Sequence, residues 1–214
     1  MKTIGNAILL LTALAAGGSA QDWEFGIDGG YSIAPAISVT ATQPAGTATT
    51  GFAPGAAFSV YVGENKSRFV GGELRYSYIM GDARINSGGA STTFGAVANE
   101  VHYDLIFHTS SKARVQLFVA LGGGVKIFEG TGVEAAYQPL MQYAYLTKTR
   151  EVKPMGSVGA GIKFLLSKRL VFRIEGRDYI SPFPTEVITP ALGATFSRSI
   201  MHNFVPMAGF GFRF

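Results

Sequence analysis

Residues 68–80 read Arg68-Phe69-Val70-Gly71-Gly72-Glu73-Leu74-Arg75-Tyr76-Ser77-Tyr78-Ile79-Met80. Val70, Leu74, Tyr76, Tyr78 and Met80 fall on one side of an extended chain, and Glu73, Arg75 and Ser77 on the other. Successive side chains of a strand point to opposite faces, so this period of two predicts a strand with one apolar and one charged face.

The same pattern recurs along the chain. Over 94–108, Val101, Tyr103, Leu105 and Phe107 oppose Glu100, His102 and Asp104. Over 169–180, Leu170, Phe172 and Ile174 oppose Arg173, Glu175 and Arg177. Five further segments carry it less sharply, at about 22–32, 52–63, 114–128, 152–165 and 201–214. Eight strands of this length exceed the roughly 5–6 residues usual in soluble sheets. They match the roughly 9–11 residues that cross a bilayer at a tilt, with some overhang.

The connections alternate in length. Short turns fall at Glu64–Ser67, Thr109–Ala113 and Leu166–Lys168, and long connections at about 33–51, 81–93, 129–151 and 181–200. Short turns on one rim and long loops on the other is the arrangement of outer-membrane barrels. The expected fold is therefore all-β: an eight-stranded antiparallel up-and-down transmembrane β-barrel with short periplasmic turns and long extracellular loops. An even strand number leaves both termini on the periplasmic side.

Composition agrees with that class. Charged residues make up 15% of the 214 residues and apolar ones 47%, against about 25% charged in average soluble domains; the mean hydropathy is +0.24. No stretch reaches the roughly 18 apolar residues of a membrane helix. The absence of cysteine excludes disulfide scaffolds, thiol catalysis and cysteine zinc sites. The formal net charge is +4, but the bases are scattered and form no stripe, so no nucleic-acid partner is expected. Lys2, the apolar run Ala7–Ala16 and the small residues Gly18-Ser19-Ala20 form a secretory leader pattern. Residues 1–20 are thus expected to be a signal peptide and 21–214 the barrel domain of an exported chain.

With the apolar face turned to lipid, the other face fills the lumen. It carries the acids Glu24, Asp28, Glu73, Glu100, Asp104 and Glu175 and the bases Arg75, Lys126, Lys163, Arg173, Arg177 and Arg213. Eight strands leave room for side chains and not for a channel, and charges confined there have to pair. The centre of the expected network is Glu73, Arg75, Glu100, Asp104, Arg173 and Glu175, with His102 and Arg177 beside it. His102 has no second histidine or cysteine at ligand spacing, so no metal or cofactor is expected. The repeated Gly-x-Gly-x-Lys at Gly122, Gly124, Lys126 and at Gly159, Gly161, Lys163 lies in strand patterns. No helix follows it, so it is read as room for large lumenal side chains rather than as a phosphate loop.

The C-terminus reads Met207-Ala208-Gly209-Phe210-Gly211-Phe212-Arg213-Phe214. It is similar to the signal recognised by the barrel assembly machinery, with Gly209, Phe212 and Phe214 matching and Met207 standing where a polar residue is usual. The whole mature chain resembles the small eight-stranded OmpA/OmpX/Ail-like barrels. That resemblance implies a monomer in the outer membrane, bounded by lipid and lipopolysaccharide, with any extracellular ligand taken by the loops; the peptidoglycan-binding domain that follows the barrel in OmpA is not expected, because the sequence stops at the last strand. The residues leave the function open between a structural or loop-mediated binding role, which is the non-enzymatic expectation, and two alternatives. One is a lipid-modifying acyltransferase or deacylase, with His202 and Ser197 or Ser199, or the rim pair His108 and Ser110, as its reactive groups. The other is a soluble periplasmic lipocalin-like barrel with its apolar face inward, although the lipocalin Gly-x-Trp pattern is absent before Trp23.

Overall fold

The computed structural model describes residues 22–110 and 113–214; the leader pattern in residues 1–20 lies outside them. In chain order the strands are β1 (Asp22–Ser32), β2 (Ile37–Thr42), β3 (Ala45–Phe52), β4 (Gly55–Asn65), β5 (Val70–Met80), β6 (Ala83–Ser87), β7 (Ala90–Phe94) and β8 (Ala96–His108). They continue with β9 (Val115–Gly130), β10 (Ala144–Leu146), β11 (Arg150–Leu165), β12 (Leu170–Pro182), β13 (Ile188–Pro190), β14 (Ala194–Phe196) and β15 (Ile200–Arg213). The eight long strands close a barrel in the order β1-β4-β5-β8-β9-β11-β12-β15, each antiparallel to its neighbours. The seam is the ladder of β1 on β15, from Glu24 opposite Arg213 to Gly30 opposite Met207. Closure leaves no unpaired barrel edge, which is the condition for a sheet to lie in hydrocarbon.

Relative exposure settles which face is out. Along β5 it runs 1% at Glu73, 53% at Leu74, 0% at Arg75 and 41% at Tyr76. Phe25, Ile27, Val101, Leu117, Ile174 and Phe210 are likewise exposed, and every charged residue assigned above to the lumen is buried. The lipocalin-like alternative is thereby overturned, because a soluble barrel would turn its apolar face inward. The outward band instead needs hydrocarbon as its solvent.

Two of the short turns are closed by a serine. Val70 and Phe69 donate backbone N–H groups to Ser67 Oγ at 3.1 and 3.3 Å, and Leu170 and Arg169 do the same to Ser167 Oγ at 3.0 and 3.3 Å. The hydroxyl thus stands in for a backbone acceptor in a tight hairpin.

The long connections correct the sequence reading: they are not simple loops. β14, β2, β3, β6 and β7 form a five-stranded sheet, and β10 pairs with β13 in a second, two-stranded one. Ile37, Val39, Ala41, Ala48, Ile85 and Phe94 are buried, while Thr40, Thr42, Thr47 and Thr49 face water. The period of two was present there, but Ala and Thr carried it, so the contrast between faces was weak. β6 and β7 are joined through Gly88 and Gly89, whose φ values of 56° and 84° are those of the favoured two-residue hairpin turn.

The buried side of these sheets is continuous with the upper barrel interior. Ile37, Val39, Ile85, Leu146 and Ile188 from the cap join Ile79, Phe128, Tyr179 and Met201 from the barrel strands in one hydrophobic cluster. Phe52 stacks on Phe128 with ring centroids 5.5 Å apart. The extracellular mouth therefore ends in a packed apolar core. On SDS gels, unboiled protein is expected to run apart from boiled protein, since the closed ladder resists detergent; co-migration of the two bands would contradict a barrel of this kind.

Candidate functional site in the barrel lumen

Charged side chains fill the lumen in three layers. In the middle layer, β5 and β12, which stand on opposite walls, supply interleaved guanidinium and carboxylate groups. Arg75 reaches Asp28 at 2.7 Å, Glu73 at 2.9 Å and Glu175 at 2.8 Å. Arg173 bridges Glu73 at 2.5 Å and Glu175 at 2.7 Å. Arg177 binds Glu175 at 2.9 Å, Glu73 at 2.8 Å, and Asp104, which also faces His102 Nδ1 at 3.1 Å. Arg75 and Arg173 lie over the Tyr61 ring, 4.9 and 4.7 Å from its centroid, and Arg173 over Phe118 at 4.4 Å. Planar guanidinium groups suit this use, because each can serve two carboxylates and still pack on an aromatic face.

The periplasmic layer is built on Glu24. It accepts hydrogen bonds from Lys163 Nζ at 2.9 Å, Arg213 Nε at 3.0 Å and the Tyr61 hydroxyl at 2.9 Å. Arg213 also donates to Gln116 Oε1 at 3.1 Å. The outer layer is the pair Lys126–Glu100 at 2.7 Å, with Lys126 Nζ 5.3 Å from the Phe128 ring centroid and 5.9 Å from that of Tyr179.

Glu100 is thus the one member of the expected central network that lies elsewhere, and Asp28 takes a place in the centre. Glu73 is opposite Asp104 and Arg75 opposite His102, so Glu100, opposite Ser77, stands further out along the barrel. Asp28 lies on the same ladder rung as Ser59 and Ser77. Strands in a barrel are tilted and staggered, so a rung changes height as it runs round the wall, and counting residues from a turn cannot place groups on distant strands. Tyr61, the aromatic floor of the cluster, carried no charge signal in the sequence.

The inward glycines make room for these side chains. A Cβ on Gly159 would lie 2.8 Å from Arg177 Cγ, and one on Gly161 2.7 Å from Glu175 Cβ and 2.6 Å from Phe118 Cζ. Gly209, opposite Asp28 on β1 and Arg173 on β12, leaves space for the Asp28 carboxylate, whereas Phe212 and Phe214 point outward.

His202 lies outside the lumen. It is exposed on the outer wall near the extracellular rim, with Nδ1 2.7 Å from the Asp178 carboxylate. Ser197 Oγ accepts the Ser38 N–H at 3.1 Å, and the His108 ring meets the Thr109 carbonyl at 2.6 Å. Among the described residues no serine is hydrogen-bonded to either histidine, and no cluster of three or more potential metal ligands occurs.

Comparison with known proteins yields no matching family model and no matching curated protein sequence. Among solved structures, the Neisserial surface protein A aligns over 90% of this chain and 97% of its own, with TM-score 0.57 and 8% identity. The outer membrane protein OprG of Pseudomonas aeruginosa aligns over 89% and 95%, with TM-score 0.55 and 13% identity. The fold is that of the small eight-stranded outer-membrane barrels. Together with the apolar outer band, it places the chain in the outer membrane.

Proposed function

We propose that the protein is a closed outer-membrane barrel that serves as a scaffold for its extracellular cap, the cap being the element that meets a ligand. The observation that carries this is the state of the lumen: the charged layers are paired among themselves and an apolar core lies over them. The wall is committed to lipid on one face and to ion pairs on the other, so the surface left for a partner is that of the cap sheets and their connections. In planar bilayers, purified protein is expected to pass no steady current of porin size; a stable large conductance would overturn the plugged-lumen reading.

Two further assignments belong to this proposal. Residues 1–20 act as the export signal, and N-terminal sequencing of protein from outer membranes should begin close to Gln21. Gly209, Phe212 and Phe214 act as the assembly signal. Phe214→Ala, at an outward and exposed position, is then expected to lower the folded fraction in cells while purified variant refolds in detergent as well as wild type. Equal cellular assembly would refute that role. The protein works as a monomer among outer-membrane lipids, without a cofactor.

A second reading, a lipid-modifying enzyme, is favoured by one observation, the His202–Asp178 pair facing outward at the extracellular rim. A carboxylate that orients an imidazole is part of a general-base arrangement. Incubation with lipopolysaccharide and mass analysis of the lipid tests it: an acyl loss or transfer that disappears in His202→Ala supports an enzyme, and an unchanged lipid supports the scaffold.

A further inference from the structure

Where the barrel meets the cap, the chain encloses a hollow of about 310 Å³, at the lower end of the roughly 300–1,000 Å³ of small-ligand pockets. Its walls come from β11 at Lys153, from the end of β12 with the connection that follows it, and from the segment leading from β14 into β15. All three belong to the extracellular end. Lys153 is three residues into β11, Pro182 is the last residue of β12, and Ser199 immediately precedes β15. Pro182 also stands four residues beyond Asp178, and Arg198 four before His202, so the hollow lies on the water side of that exposed pair.

The lining carries two cations, Lys153 and Arg198, and no acid. Lys153 is paired with Glu151, whose other oxygen accepts the Glu186 N–H at 2.8 Å. Glu186 itself is exposed and does not line the hollow. Counting Glu151, one positive charge is left over, on Arg198. That guanidinium is exposed, and among the described residues it has no ion-pair or hydrogen-bond partner; the same holds for the side-chain hydroxyls of Thr185 and Ser199. On the apolar side, Phe183 and Phe196 pack with ring centroids 5.0 Å apart, and Phe196 is only half-buried.

We propose that this hollow binds a carboxylated sugar of a polysaccharide, a uronic or similar sugar acid. A single surplus positive charge calls for a monoanion, and the planar fork of a guanidinium matches a carboxylate. The Lys153 ammonium has three donors, so it can serve the ligand while keeping Glu151. The two free hydroxyls suit the hydroxyls of a sugar ring, and the half-buried Phe196 ring offers a surface for its C–H face. This inference rests on the scaffold reading, in which the cap and its connections meet the ligand, and names the class of that ligand. Two sources carry the same chemistry: the carboxylated core sugars of lipopolysaccharide in the same membrane, and a glycan from outside the cell.

Calorimetric titration of the purified barrel in detergent tests the site. The probes are a hyaluronan tetrasaccharide, which carries glucuronate, a lipopolysaccharide core oligosaccharide freed of acyl chains and phosphate, and neutral chitotetraose. Either acidic probe is expected to bind and chitotetraose not, and the tighter of the two acids identifies the source. Arg198→Gln removes the free guanidinium, and Thr185→Trp fills the hollow while sparing both cations. Each is expected to weaken binding about tenfold or more, the scale of a lost hydrogen bond to a charged group. Arg150→Gln removes another exposed cation at the same end of β11, outside the hollow, and is expected to leave the affinity unchanged. All variants should remain heat-modifiable. No binding of either acid, chitotetraose binding as tightly as the acids, undiminished affinity in both Arg198→Gln and Thr185→Trp, or an equal loss in Arg150→Gln would overturn the proposal. A porin-size conductance would defeat the scaffold reading while leaving these affinities untouched.

Discussion

Arg173→Ala is expected to destabilise the folded barrel by about 3–5 kcal/mol, the usual cost of removing one partner from a buried ion pair. Arg173 is fully buried and lies between Glu73 and Glu175, at 2.5 and 2.7 Å. Its removal leaves two carboxylates in a lumen where Arg75 and Arg177 already serve both. The cost comes from desolvated charge and not from lost packing alone, so it should fall when the charge is removed with its partner. Arg173→Met combined with Glu73→Gln is therefore expected to regain much of the loss. Denaturant titration of folding into detergent or lipid, followed by the heat-modifiable band, reads both effects. A loss below about 1 kcal/mol for Arg173→Ala, the scale of a solvated surface pair, would mean that water screens the cluster.

The second large effect concerns the cap. Ile85 is fully buried, on β6 between β3 and β7, and packs into the cluster that includes Ile79 and Phe128 of the barrel. Ile85→Asp places an unpaired charge there, at a cost of several kcal/mol. The barrel ladder does not depend on that position, so heat-modifiability is expected to survive while limited proteolysis begins to cut within residues 33–54 and 81–95. Replacing residues 131–149 by a tight turn should have a similar result. The deletion removes β10, the partner of β13, and with it Leu146 from the core. A free loop would shorten with little penalty, because closure entropy depends weakly on length; a strand of a folded cap does not. Unchanged protease resistance in both variants would show that the cap sheets do not hold one another.

The order and phase of the barrel strands were legible because each alternates strong opposites, as Glu73-Leu74-Arg75-Tyr76 does. Boundaries moved by a few residues: β4 begins at Gly55 rather than near 52, and β9 runs to Gly130 rather than 128. Strand ends carry few ladder bonds, and the pattern fades there. The cap strands escaped notice for a related reason. Ile37-Ser38-Val39-Thr40-Ala41-Thr42 alternates, but alanine and threonine are both compatible with a loop, and the burial that makes Ala41 a core residue comes from elements far along the chain.

By itself, the sequence determined that this chain alternates with period two over eight long segments, that the connections alternate short and long, and that acids and bases share one face. Those properties reside in neighbouring residues, and side-chain direction along a strand follows from local geometry alone. Only the tertiary structure decided which charges meet. Glu73 and Arg173 are 100 residues apart, and Glu24 and Arg213 are 189; their contact depends on tilt, stagger and closure, which no single strand encodes. The tertiary structure also decided that Glu100 pairs with Lys126 outside the central cluster and that the extracellular connections fold into sheets. Each of these depends on the height at which distant strands are brought together, a quantity set by the closed barrel as a whole.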